Sequence, residues 1–151
     1  MIYEFCAENV TLLEKAMQAG ARRIELCDNL AVGGTTPSYG VTKAAVELAA
    51  NYDTTIMTMI RPRGGDFVYN ELEIAIMLED IRLATQAGSQ GVVFGALTAE
   101  KKLDKPNLEK LIAASKGMEI VFHMAFDELS DEDQLEAIDW LSRAGVTRIL
   151  T

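Results

Sequence analysis

Cysteine is scarce in this sequence: there are only two, Cys6 and Cys27, and neither belongs to a Cys-x-x-Cys motif. That excludes a disulfide framework and fits a compartment that keeps thiols reduced, so a cytoplasmic location is expected. Long apolar runs are missing too; none approaches the roughly 20 residues of a membrane-crossing helix, and no membrane partner is expected. The opening MIYEFCAENV has neither a basic n-region nor a cleavage site, so no signal peptide is expected. Positive charge is short, with 14 Lys and Arg against 23 Asp and Glu and a net charge of −9. Nucleic acid is therefore not an expected partner, because binding phosphates needs a basic face. Histidine occurs once, at position 123. What remains is 151 residues, 49% of them hydrophobic, enough for one domain spanning 1–151 with a sizeable core.

The most informative stretch is Met59-Ile60-Arg61-Pro62-Arg63-Gly64-Gly65-Asp66-Phe67. An apolar run from Thr54 to Ile60 stops in two arginines, a proline, two glycines and an aspartate. Pro62 lacks an N–H and pushes Arg61 towards an extended conformation, so a strand ends here. Gly64 and Gly65 let the backbone turn or approach a ligand closely. Two guanidiniums beside free N–H groups favour a small anion, a carboxylate or phosphate. The competing reading is a loop whose arginines pair with Asp66 and nearby acids.

Strand-length apolar runs alternate with amphipathic stretches along the rest of the chain. Strands are predicted at Ile2–Ala7, Arg23–Cys27, Thr54–Ile60, Val92–Leu97, Glu119–Phe126 and Thr147–Thr151. Helices are predicted near Asn9–Ala19, Ser38–Asn51, Glu71–Ala87, Pro106–Ser115 and Glu132–Ala144. Ala19-Gly20, Ala87-Gly88 and Ala144-Gly145 each close a helix shortly before a strand, where glycine supplies a left-handed cap. Repeated units of this kind imply parallel strands joined by right-handed crossovers. No Gly-x-Gly-x-x-Gly follows the first strand, which weakens a dinucleotide-binding sheet.

Alternation within the strands favours a barrel. Ile24 and Leu26 alternate with Arg23, Glu25 and Cys27; Ile56 and Ile60 alternate with Met57, Met59 and Arg61; Ile120, Phe122 and Met124 alternate with Val121, His123 and Ala125. One side is apolar and suits packing on helices, while the other carries charge and sulfur, as a barrel interior with a site at its mouth does. The fold class is therefore α/β, a parallel (β/α) TIM-type barrel. Such barrels need eight units and about 250 residues. Only about six are counted here, so the chain is expected to be C-terminally incomplete.

Several segments together resemble the CutC family of copper homeostasis proteins. They are Arg23-Ile24-Glu25-Leu26-Cys27, Gly33–Gly40, Met59–Phe67, Gly91–Leu97, Phe122–Asp127 and Arg148–Thr151, in the family's order and spacing. The resemblance runs from Glu4 to the last residue. It implies a TIM-type barrel, a cytoplasmic location, a role in copper handling, and two further βα units after Thr151. Two positions depart from the family: it usually has an arginine where this chain has Met124 and a leucine where it has Thr35. The first removes the guanidinium that would contact an anion there.

Two chemistries follow. Cu(I) is soft and prefers thiolate, thioether and imidazole ligands. Glu4-Phe5-Cys6 and Glu25-Leu26-Cys27 share one phase on neighbouring strands about 4.8 Å apart, so Cys6 and Cys27 are candidate copper ligands, joined by His123 and less directly by Met57 and Met59. Buried cysteine is also a small hydrophobe, and methionine fills cores. The alternative is an isomerase, aldolase or lyase acting on a small anionic metabolite. There His123 transfers protons, Glu25 or Asp127 orients it or acts as base, and Arg61 and Arg63 with Gly64 and Gly65 hold the anion. An ion network filling the barrel explains the same residues. The acidic run at Asp131–Asp133 reads as a helix cap, and Asp80 and Arg82 as surface charge. A pure interaction protein, in which barrel edges or helices pair subunits, leaves a homo-oligomer open.

Overall fold

The computed structural model describes residues 1–151. Six strands lie in one parallel sheet in chain order: β1 (Glu4–Glu8), β2 (Arg23–Cys27), β3 (Thr55–Met59), β4 (Gly91–Phe94), β5 (Glu119–Phe122) and β6 (Arg148–Ile149). Every strand pairs with its sequence neighbour, so the order never reverses. A doubly wound sheet requires such a reversal. Unreversed parallel order with a helix after each of the first five strands is the winding of a (β/α) barrel, here a curled six-stranded part of one.

The crossovers are α1 (Leu13–Gln18), α2 (Tyr39–Ala49), α3 (Glu71–Ala87), α4 (Lys105–Ala114) and α5 (Asp131–Ala144). Each helix from α2 onward starts where a side chain satisfies a free N–H. Ser38 accepts from Val41, Asp104 from Asn107 and Ser130 from Asp133. Asn70 and Glu73 form a reciprocal capping box on α3. Gly88 and Gly145 end α3 and α5 with φ of 92° and 94°, the left-handed cap their spacing predicts. Asp131, Glu132 and Asp133 fill the first turn of α5, and Lys102 binds Asp133 at 2.7 Å, so the acidic run is a solvated cap.

Strand parity sorts the side chains as expected. Ala7, Ile24, Leu26 and Ile56 pack outward with α1 and α2, while Ile60, Val92, Phe94, Ile120 and Phe122 pack against α3, α4 and α5. Fully buried rings such as Phe94 and Phe122 each stabilise by about 1.5–3 kcal/mol. The opposite face carries a separate buried group, Cys27, Met57, Met59, Val93 and Val121, which fills the barrel interior.

Several expectations need correction: the helix predicted from Asn9 begins at Leu13, the strand predicted to Leu97 ends at Phe94, and the last strand covers only Arg148–Ile149. The strand predicted at Glu119–Phe126 stops at Phe122, and Met124–Glu128 form a 3₁₀ helix, nucleated by Ala125 N–H donating to His123 Nδ1. The first strand begins at Glu4, leaving Met1, Ile2 and Tyr3 exposed. Asp80 is half-buried beside a cavity of about 20 Å³ that it shares with Thr36 and Tyr39, and burial raises its carboxyl above the usual range. Arg82 is on the surface as expected, paired with Glu79.

The interior leaves little slack at its base. A Cβ on Gly91 would overlap Met57 Cε and come within 2.7 Å of the Glu119 carbonyl oxygen. Because that oxygen is backbone, β4 and β5 would have to separate. Gly91→Ala is therefore expected to destabilise by about 1–3 kcal/mol in a urea melt, with an unchanged m-value.

Candidate functional site

β1 and β2 set the first cluster. Their register places Cys6 opposite Glu25, and Cys27 follows two residues along on the same inward face. Glu25 Oε1 accepts from the Cys6 thiol at 3.7 Å and from the Cys27 thiol at 3.6 Å. One ligand atom from each of the three residues lies within 4.8 Å of the others. Cys27 is fully buried, Glu25 is buried, and Cys6 is exposed on the edge strand. The polarities follow from that placement. Burial, then the nearby Glu4 charge, raises the Glu25 carboxyl, and the two thiols oppose the shift. Cys6 is the thiol that ionises first, because the neighbouring Cys27 thiol favours its thiolate; the same interaction, with burial, pushes Cys27 well up.

The second cluster sits at the C-terminal mouth. Arg61 is buried, and its guanidinium donates to the carbonyls of Val32 at 2.7 Å, Gly34 at 2.9 Å and Gly65 at 2.7 Å. Its Cζ stands 4.9 Å from the centre of the Phe67 ring. No carboxylate pairs with it, whereas Arg63 bonds Glu73 at 2.5 Å and Asp66 at 3.1 Å. The two arginines thus divide: Arg63 follows the loop-pairing reading, and Arg61 ties the β2–α2 loop to the β3–α3 loop. Gly64 gives that junction its room, since a Cβ there would lie 2.8 Å from Val32 Cβ. Gly65 turns with φ of 85° and presents its carbonyl to Arg61.

His123 is wholly buried against Phe67, with ring centres 4.9 Å apart. Desolvation, helped by the Arg61 charge, lowers its pKa to about 3. Its Nδ1 accepts from Ala125 N–H at 3.2 Å, so the neutral ring carries its proton on Nε2. Gly95 makes space for it: a Cβ there would come 2.7 Å from His123 Cε1.

The residues named from sequence therefore form two groups rather than one. No hydrogen bond or ion pair links Glu25 to His123 or Arg61. His123 does not join the sulfur cluster, because β3 and β4 stand between β2 and β5 and its ring turns towards Phe67. Asp127 lies exposed on the 3₁₀ helix and accepts from Thr151. Tyr69 was missed: it is buried, and its hydroxyl has no partner. An aromatic two residues past Phe67 carried no sequence signal separating it from ordinary core.

The CutC family profile matches residues 1–151. A CutC family protein of Enterococcus faecalis is 55% identical over 151 residues, covering 100% of this chain and 72% of that protein. The chain belongs to the CutC family. A crystal structure of a CutC protein from Streptococcus agalactiae, to which a copper homeostasis role is attributed, superposes with a TM-score of 0.95 at 50% identity, covering 99% of this chain and 71% of that one. A Burkholderia cenocepacia protein assigned as a phosphonomutase aligns with a TM-score of 0.72 at 18% identity over 99% of this chain and 62% of its own, a likeness of fold alone. Within the CutC frame no helix is long and apolar enough to cross a membrane.

Two measurements check the electrostatics. The single histidine gives one Hε1 resonance, expected to stay unshifted from neutral pH down to about 4 and to show the Nε2–H tautomer by ¹⁵N shift. Titration near the ordinary value of 6.5 would mean that the ring is solvated. Glu25 has a raised folded pKa, so its contribution is present in full below the ordinary 4.5 and lost as pH rises through the folded value. Glu25→Gln is accordingly expected to raise Tm at pH 7 and to leave it unchanged well below pH 4.5.

Proposed function

We propose that this protein handles copper by binding Cu(I) as cargo between Cys6 and Cys27 inside the barrel, in a cytoplasmic setting. The observation carrying the reading is the sulfur–carboxyl–sulfur cluster within 4.8 Å. The two sulfurs lie within 4.8 Å of each other, close enough for metal–thiolate bonds of the roughly 2.3 Å length found at zinc to reach one ion from both. A soft donor pair selects Cu(I) over hard cations. Glu25 Oε1, already bonded to both thiols, is the base nearest to take a proton as a thiol ionises. Buried Cys27 holds the ion away from water. Reduced thiols on both residues fit the cytoplasm, and family membership supports the copper role.

Competition with a Cu(I) chelator tests this. Cys6→Ser and Cys27→Ser are each expected to weaken Cu(I) binding by about tenfold or more, that is ~1.4 kcal/mol. His123→Gln is expected to leave it unchanged. Equal affinity in the wild type and the double serine variant would remove the sulfurs from the function.

A further inference from the structure

Arg61 and His123 present an unusual pair of buried groups. Each stands 4.9 Å from the centre of the same ring, that of Phe67. Each keeps one buried polar atom without a partner: Nε of Arg61 and Nε2 of His123. Both atoms are hydrogen donors. Guanidinium Nε always carries a proton, and His123 has its proton on Nε2 because Nδ1 is occupied by Ala125 N–H. Buried donors without acceptors are costly, and a buried cation without a counter-charge more so. Arg61 donates to three carbonyls and faces the Phe67 ring, and no carboxylate lies in ion-pair contact with it. A third orphan, the Tyr69 hydroxyl, is buried within reach of the Arg61 charge.

We propose that Arg61 and His123 form an oxyanion site, for a small carboxylate or phosphate, which Phe67 covers in the ligand-free protein. A metal ion does not fit, because both groups face it with hydrogens. An oxyanion fits on both counts: it accepts from the two N–H groups and neutralises the guanidinium. A neutral imidazole donating to a developing or resident negative charge needs no proton transfer of its own. Access runs past Phe67, which also walls a cavity of about 600 Å³ at the barrel mouth, together with Gly65, Val68, Leu97, Thr98 and Lys101. Displacing one ring from the Gly65–Val68 loop joins that cavity to the two donors. The site is distinct from the sulfur cluster, and neither requires the other.

Nuclear magnetic resonance titration tests the site, with inorganic phosphate in one arm and acetate in the other, at millimolar concentrations and constant ionic strength set by sodium chloride. Saturable movement of the His123 Hε1 and Phe67 ring resonances is expected in at least one arm. Phosphate alone points to a phosphate ester, acetate alone to a carboxylate, and both to a general oxyanion; each supports the site. Phe67→Ala removes the cover and is expected to tighten binding by about tenfold. His123→Phe, which deletes the donor and keeps a ring, is expected to weaken it by a similar factor. Arg61→Lys reports on the guanidinium, but it also loses carbonyl bonds, so the His123 and Phe67 variants carry the decision. Cys6→Ser is expected to bind the anion as the wild type does, which separates this site from the copper reading. No saturable shift in either arm, for both the wild type and a folded Phe67→Ala, would overturn the proposal.

Discussion

Cys6 faces Glu25 because β1 and β2 run parallel in register while Phe5 and Ile24 turn to the helices. That constraint is strict. A slip of one residue along either strand would send the thiol into the apolar layer and a hydrophobic side chain into the barrel. The same parity carries round the sheet: Ile24 beside Ile56, Thr58 beside Val92, and Phe94 beside Phe122 all lie on the helix side. The inward positions are thereby left to sulfur, carboxyl and, at the top of β3 and β5, guanidinium and imidazole. Each inward group then meets an environment set by its depth in the barrel and by the loops above it.

The mouth is held by a different device. Arg61 binds carbonyls from two loops, and the loops in turn leave its charge without an acid. Gly64 and Gly65 are needed because Val32 crowds one and the other turns its carbonyl inward. Arg63, one turn further, spends its donors on Glu73, Asp66 and the carbonyls of Gly64, Asp66 and Val68, which pins the loop to the start of α3. Two arginines two positions apart thus do opposite things: Arg63 pairs with carboxylates near the surface, and Arg61 is buried among carbonyls.

Much of this was legible in the residues. α3 was found with its bounds, its end marked in the sequence by Gly88. β2 was found whole because its apolar and polar residues alternate without interruption. β5 was drawn too long because Met124 and Ala125 extend the alternation, and nothing in it shows that His123 will accept from Ala125 N–H and turn the chain. The sulfur pair was legible from phase alone. Its separation from His123 was not, because that depends on the turn of a ring towards Phe67 across two intervening strands. Tyr69 and Asp80 were missed for the same reason: burial of one polar atom depends on neighbours distant in sequence.

The two clusters differ in the kind of partner they can hold. The thiols and carboxyl of the first offer electron pairs, and their protons leave when a soft cation arrives. His123 and Arg61 offer hydrogens, and their protons stay. Imidazole belongs to both chemistries in principle, and here the fold has chosen. With Nδ1 tied to Ala125 N–H and Nε2 protonated, His123 would have to break a hydrogen bond or lose a proton before it could ligate copper. Sulfur at β1 and β2 has no such barrier beyond thiol ionisation. On the two proposals, strand position alone would keep the cation and the anion apart, because β3 and β4 stand between β2 and β5.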